Sequence, residues 1–188
     1  MSESVPVVET ERLRLSAFAP EHFDEFARMR ADPEVMRYIG TGAGRTRAES
    51  AEWLARNVER WRQHNFGAWA VEEKNSRALL GWCGLALLDQ SIEVEVGYGF
   101  ARGGWGRGYA TEAARAAVRY GFEQRGLDRI AAVAYVENTA SRRVMEKLGM
   151  RYGGMRFHYG ANLAYYWLER EQFEAGGAHY VLHDAGPV

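Results

Sequence analysis

The stretch Gly103-Gly-Trp-Gly-Arg-Gly-Tyr-Ala-Thr-Glu-Ala113 holds four glycines in six positions, follows an apolar, strand-like run and leads into an alanine-rich segment. A strand, a glycine-rich turn and a helix in that order predict a cradle for a phosphate group. Glycines accept positive φ and let a ligand approach the main chain. Successive N–H groups then point inward, and the helix adds its unpaired N–H groups and the positive end of its dipole. Arg107 supplies a cation.

Two other phosphate loops fit less well. The pattern GxxxxGK[ST] matches Gly103 and Gly108 in spacing, but Tyr109 and Ala110 stand where the lysine and the metal-binding hydroxyl belong. The dinucleotide pattern GxGxxG finds Gly104 and Gly106 and then meets Tyr109 in place of its third glycine, although Asp128 lies at a suitable distance for a ribose contact. What remains is a loop that holds a pyrophosphate without metal, set against the plainer reading of a glycine-rich tight turn.

Outward from this loop, periodicity marks out the chain. Leu13 and Leu15 alternate with arginines as a short strand, and Pro20 opens a helical pattern with Phe23, Phe26 and Ala27 on one face, ended at Asp32-Pro33. From 47 to 64 a helix carries Trp53, Leu54, Val58 and Trp61 on one side. Strands are expected over 68–73, 79–88 and 92–100 as an antiparallel meander. A helix over 110–124 should lay Ala110, Ala113, Ala114, Ala117 and Gly121 close against the sheet. A strand over 129–136, parallel to its predecessor, precedes a short helix over 140–148 ended by Gly149. Strands over 151–157 and 163–169 close the sheet, and 176–188 reads as a tail. The expected class is α/β (α+β), a mixed, mostly antiparallel sheet of about six to seven strands flanked by helices.

At 188 residues, 47% hydrophobic and 26% charged, the composition suits one domain over 1–188, ordered over about 9–175. Twenty-four basic and twenty-five acidic residues leave a net charge of −1, which offers no global field for nucleic acid or an anionic membrane. Cys83, the sole cysteine, permits no internal disulfide and no cysteine-built metal site, in keeping with a cytoplasmic location; it reads as a small core residue. Residues 1–8 lack a signal-peptide pattern, and no segment reaches the length of a membrane span.

Three motifs in order carry a resemblance. Glu95-Val-Gly-Tyr-Gly-Phe100, Trp105-Gly-Arg-Gly-Tyr-Ala-Thr-Glu-Ala113 and Asn138-Thr-Ala-Ser-Arg-Arg-Val-Met-Glu-Lys-Leu-Gly-Met150 resemble the GNAT acetyltransferases, in the branch that includes the RimJ and RimL ribosomal-protein alanine acetyltransferases. Thr10-Glu-Arg-Leu-Arg-Leu15, Asp32-Pro-Glu-Val-Met-Arg-Tyr-Ile39 and Phe66-Gly-Ala-Trp-Ala-Val71 are similar to that branch as well, so the likeness spans about residues 9–175. It implies a GNAT fold with a splayed central strand pair and transfer of an acetyl group from acetyl-CoA, without metal, to a primary amine. The N-terminal α-amine of a protein is favoured. The alternatives are a small-molecule amine or a non-catalytic acyl-CoA-binding module. The amine acceptor is the expected partner, with a homodimer left open.

The resemblance also implies roles. Phe100 and Ala101 would pair with the pantetheine arm, and Gly104, Gly106, Arg107, Gly108, Tyr109 and Ala110 would hold the pyrophosphate. Gly103 stands where the family carries Gln or Arg, a place that Arg102 offers to fill. Main-chain N–H groups of 95–100 would polarise the carbonyl, with Gly97 and Gly99 tolerating a bulge or splay. Glu95 is the first candidate base and Glu93 shares its face; the alternatives are two solvent-facing carboxylates and a proton path through water. Glu112, in the first helical turn, is assigned to structure. Met145 stands where many relatives place a tyrosine acid, so Ser141 becomes the candidate donor to the sulfur, or else an N-terminal contact of its helix. Asn138 would bind the pantetheine amides, though asparagine also makes ordinary turns at strand ends. His158 and Tyr159 fall where they would line the acceptor site; a surface-loop histidine without a visible partner is more often incidental.

Overall fold

Period-two alternation of buried and exposed residues builds a single nine-stranded sheet in the computed structural model, which describes residues 5–183. Its strands are β1 (Val7–Glu9), β2 (Leu13–Ser16), β3 (Ala68–Glu73), β4 (Leu79–Leu87), β5 (Val94–Phe100), β6 (Arg129–Ala134), β7 (Arg151–His158), β8 (Ala161–Glu169) and β9 (Val181–His183). They lie in the order β7-β8-β6-β5-β4-β3-β2-β1-β9. The pairings are antiparallel except that of β5 with β6, which is parallel, as the intervening helix requires.

Among the described residues, five α-helices flank the sheet: α1 (Phe23–Ala31), α2 (Pro33–Met36), α3 (Arg47–His64), α4 (Tyr109–Glu123) and α5 (Thr139–Lys147). Local chemistry sets their ends. Thr46 and Glu49 form a reciprocal capping box at the start of α3, and Asn65 closes it in the left-handed region at φ 55°. Asp32 ends α1 and caps α2, accepting the Glu34 N–H at 2.9 Å.

Helix α4 lies on one face of the sheet because its contact stripe is small: Ala113, Ala114 and Ala117 are fully buried. A Cβ on Gly121 would come within 2.7 Å of Ile130 and 2.9 Å of Leu85, so glycine there sets how closely the helix approaches. The opposite face carries Phe26, Met29 and Val35 from α1 and α2 with Trp53 and Leu54 of α3, packed on Ala70, Leu79 and Trp82. Cys83 is buried in the core, as expected, and burial pushes its thiol well above the usual range.

Three expectations are corrected. The sheet has nine strands rather than six or seven, since β1 and β9 are only three residues long and too short to show alternation. Residues 176–183 are not a free tail: Val181–His183 pairs with β1 in register with Val7–Glu9 and extends the sheet, while 184–188 lie outside the described residues. On α3, Trp61 is buried but Val58 is exposed, because the helix rests on the sheet through Trp53, Asn57 and Trp61.

Candidate active site

Strands β5 and β6 share one registered pair, Glu95 with Ala131, and then diverge. Along β5 the main-chain groups alternate in direction. Leu88 N–H donates to Glu93 O at 2.8 Å and Ala101 N–H to Leu80 O at 2.9 Å, so the odd-numbered residues between them bond to β4. The N–H and C=O groups of Tyr98 and the N–H of Phe100 therefore face the opening left by β6. Phe100 O accepts the Trp105 indole N–H at 2.8 Å.

This shifts the expected strand-like contact. Ala101 sends its N–H to Leu80 O and accepts Gly104 N–H at 2.9 Å, so the main-chain groups turned to the gap are those of Tyr98 and Phe100 rather than the N–H of Ala101. Nor do Gly97 and Gly99 mark a bulge: the β4–β5 register runs without a break. At Gly99 the need is space. A Cβ on Gly99 would lie 2.6 Å from Trp82 Nε1 and 3.2 Å from Ile39.

At the mouth of the splay sits the glycine loop. Arg102–Gly104 forms a single 3-10 turn, and Gly106 and Gly108 adopt φ of 72° and 81°, the second as N-cap of α4. Glu112 N–H donates to Gly108 O at 3.1 Å, so the N–H groups of Tyr109, Ala110 and Thr111 start the helix without an intrahelical acceptor. A Cβ at Gly103 or Gly106 would meet nothing within 4 Å. An open shelf over a helix N-terminus, with two left-handed glycines, fits a pyrophosphate.

A second cation reaches this loop from far away in sequence. Arg12 Nη1 donates to Arg107 O at 2.9 Å, and the guanidinium groups of Arg12 and Arg107 stand 4.6 and 4.9 Å from the Tyr109 ring centroid. Glu112 holds Arg12 there, accepting its N–H at 2.9 Å and its Nε at 2.7 Å as well as the Thr10 hydroxyl at 2.6 Å. The structural assignment of Glu112 agrees with this geometry. Arg102 does not reach over the shelf; its Nε lies 2.9 Å from Asp32 Oδ2 and ties the loop to the α1–α2 corner.

On the α4 side of the splay, the Tyr98 hydroxyl lies 2.9 Å from Ser141 Oγ and 3.1 Å from Ser141 O. Asn138 is the N-cap of α5, its Oδ1 accepting Ser141 N–H at 3.1 Å. Burial raises the Tyr98 phenol far above its ordinary value. Met145 is buried, 1% exposed.

On the other face stands Glu95. Its carboxylate accepts the Tyr159 hydroxyl, and Tyr159 is pinned in turn by Asp89, which donates its N–H to Tyr159 Oη at 2.8 Å and accepts Tyr159 N–H at 2.9 Å. Burial pushes Glu95 up to about 7; the Tyr159 hydrogen bond and the Arg60 charge pull the other way, and Asp89 adds to the rise. Glu93 is engaged separately, accepting the Tyr165 hydroxyl at 2.8 Å. His158 has a neighbour after all, its Nδ1 4.0 Å from Asp89 Oδ2.

The structure thus places the predicted Glu95 and Ser141 at the splay, on opposite faces of β5. Sequence reasoning missed Tyr98, Arg12 and Arg60. Tyr98 gives no signal beyond its place between Gly97 and Gly99, and Arg12 none beyond its place in Thr10-Glu-Arg-Leu13.

A sheet splayed after one parallel pair, with a glycine cradle at the head of the next helix, defines an acyl-CoA-type transferase architecture. The acetyltransferase (GNAT) domain family matches residues 12–151, and the chain belongs to this family. It is 38% identical over 150 residues to YkkB, an uncharacterized protein of Bacillus subtilis, covering 76% of this chain and 84% of that one. It is 31% identical over 159 residues to the FsC-acetyl coenzyme A-N(2)-transacetylase of Aspergillus fumigatus, covering 77% and 65%. Among solved structures it is similar to a GNAT-family acetyltransferase from Bacillus anthracis, with a TM-score of 0.75, 28% identity and coverage of 88% and 99%.

Proposed function

We propose that this chain, as a single cytoplasmic domain, transfers the acetyl group of acetyl-CoA to a primary amine, with the N-terminal α-amine of a protein or peptide favoured. The observation that carries this reading is the divergence of β5 from β6 after Glu95, with the main-chain groups of Tyr98 and Phe100 turned into the gap.

When bound, acetyl-CoA supplies an acetyl group activated as a thioester. Gly104, Gly106, Arg107, Gly108, Tyr109 and Ala110, joined by Arg12, hold its pyrophosphate. Phe100, Tyr98 and Asn138 hold the pantetheine arm. A main-chain N–H of Tyr98 or Phe100 polarises the carbonyl, an electrostatic contribution that a fixed donor makes without reorganisation. Glu95 takes the proton of the attacking amine, directly or through water. Ser141 offers its hydroxyl to the departing sulfur.

Glu95 also supports the choice of acceptor. A base near 7 is better matched to an α-amine, ordinarily about 8, than to a lysine side chain at about 10.4. The likeness to the RimJ and RimL branch favours the same acceptor. A second reading takes a small-molecule amine as the acceptor, and the Aspergillus relative, whose name specifies FsC and an N(2) position and mentions no ribosomal protein, leaves room for it.

Release of free thiol from acetyl-CoA, followed across an acceptor series, tests both readings. Peptides beginning with Ala or Ser should react faster by kcat/KM than the same peptides with a blocked N-terminus and one free lysine. Better turnover of polyamines, aminoglycosides or amino acids would move the assignment to a small amine. Binding of acetyl-CoA with no thiol release for any amine would make the chain a binding module.

A further inference from the structure

The tyrosine that the family resemblance leads one to expect on α5 is replaced by Met145, yet a phenol is present beside Ser141. It comes from β5: Tyr98 Oη stands 2.9 Å from Ser141 Oγ and 3.1 Å from Ser141 O. Each hydroxyl carries one proton, and where the Ser141 proton goes depends on what Tyr98 does with its own. If Tyr98 donates to the Ser141 carbonyl, its Oη stays open as an acceptor and competes with the splay for the Ser141 proton. If Tyr98 donates to Ser141 Oγ, the Ser141 proton is left to point into the splay.

We propose that Tyr98 is a positioning residue for acetyl transfer, donating to Ser141 Oγ so that the Ser141 O–H is aimed at the thioester sulfur. This rests on the acetyl-transfer reading above. As the C–N bond forms and the C–S bond breaks, the bonding pair goes to sulfur and the amine proton goes to Glu95 or water. Ser141 donates a hydrogen bond to the thiolate. Neither hydroxyl gives up its proton: burial raises the Tyr98 phenol above its ordinary value of about 10, and a thiol such as that of cysteine ionises lower, at about 8.5, so proton transfer from Tyr98 would run uphill. Solvent protonates the thiolate later. The pair therefore replaces a proton donor with a hydrogen bond, and its signature is a stabilised thiolate.

The thiol pKa of bound CoA, followed by thiolate absorbance against pH, reads this directly and needs no turnover. Tyr98→Phe keeps the ring and removes only the oxygen. The bound thiol pKa should rise by about one unit, matching one hydrogen bond to a charged group. Acetyl transfer should slow about tenfold in kcat with KM for acetyl-CoA within about twofold. Ser141→Ala should do at least as much, and the double variant should match Ser141→Ala alone. Incorporating 3-fluorotyrosine at 98, a stronger donor of nearly the same shape, should lower the bound thiol pKa; this arm holds even if Tyr98→Phe folds poorly.

A folded Tyr98→Phe protein with unchanged thiol pKa and kcat overturns the proposal, as does a double variant whose loss equals the product of the two single losses. If Ser141→Ala changes neither quantity, the role of Ser141 falls and this inference with it. If Ser141→Ala shifts them and Tyr98→Phe does not, the acetyl-transfer reading stands and only the inference fails.

Discussion

The Tyr159 hydroxyl, in the turn between β7 and β8, donates to the Glu95 carboxylate on β5, 64 residues earlier in the chain. Asp89, in the β4–β5 turn, holds Tyr159 through both its own N–H and its carboxylate. Two turns at one end of the sheet thereby clamp the carboxylate that the proposed function assigns as base. Its environment, more than its identity, makes it useful near neutrality.

With Glu95 near 7, kcat/KM should rise with pH through an acidic limb close to that value, as the carboxylate ionises. Glu95→Gln should remove the limb and reduce kcat/KM by about 10²-fold. Tyr159→Phe removes a donor that favours the charged form, so its limb should move to higher pH. A pH–rate series on the three proteins checks this. An unaltered profile in Glu95→Gln would pass the base role to water.

The same shift governs stability, with a definite sign. In the unfolded chain Glu95 titrates at about 4.5, and in the folded protein at about 7, so the native state binds the proton more tightly. Its contribution is fully present below about 4.5 and is lost as pH rises through 7. Replacing it with glutamine should therefore raise Tm relative to the parent more at pH 8 than at pH 5, as read by thermal melts. Equal offsets at both pH values would contradict the burial of this carboxylate.

Gly108 caps α4 at φ 81°, where a β-branched residue is strained. Gly108→Val should weaken acetyl-CoA binding at least tenfold and lower Tm by several degrees, on the order of 1–3 kcal/mol of strain. Gly108→Asn, tolerant of the left-handed region, should keep most of both. Calorimetry on folded proteins decides, and undiminished affinity in the valine variant would remove the glycine cradle from the binding site.

Glu112 accepts from Thr10 and from the main chain and guanidinium of Arg12, and its carboxylate is only 18% exposed. Glu112→Ala should cost about 1–3 kcal/mol of stability by leaving these donors without their acceptor. The loss should appear as lowered Tm and weaker acetyl-CoA binding, with kcat at saturation changed by less than about threefold. A collapse of kcat with binding intact would place Glu112 in the chemistry instead.

Much of the site was legible before any coordinates. Gly106 and Gly108 announced left-handed backbone, and Ser141 and Asn138 announced a helix start. The limits are physical. Tyr98 went unnoticed because its hydroxyl finds Ser141 only through the approach of α5, 43 residues on. That the Ala101 N–H turns to Leu80 and not to the gap was not legible, since which β5 residues face the gap depends on the β4 register and not on composition.

By itself the sequence determined what depends on neighbours along the chain. The Thr46–Glu49 capping box, the Asn65 helix end, the glycine turn and the small stripe of α4 follow from local dihedral preferences and a periodicity of three to four residues. Only the tertiary structure decided where β5 leaves β6, that Val181–His183 returns to pair with β1, that Arg12 reaches the glycine loop, and that Glu95 meets Tyr159. Those features arise from contacts between residues tens of positions apart, and the proton affinity of Glu95 comes from burial, which no stretch of sequence carries alone.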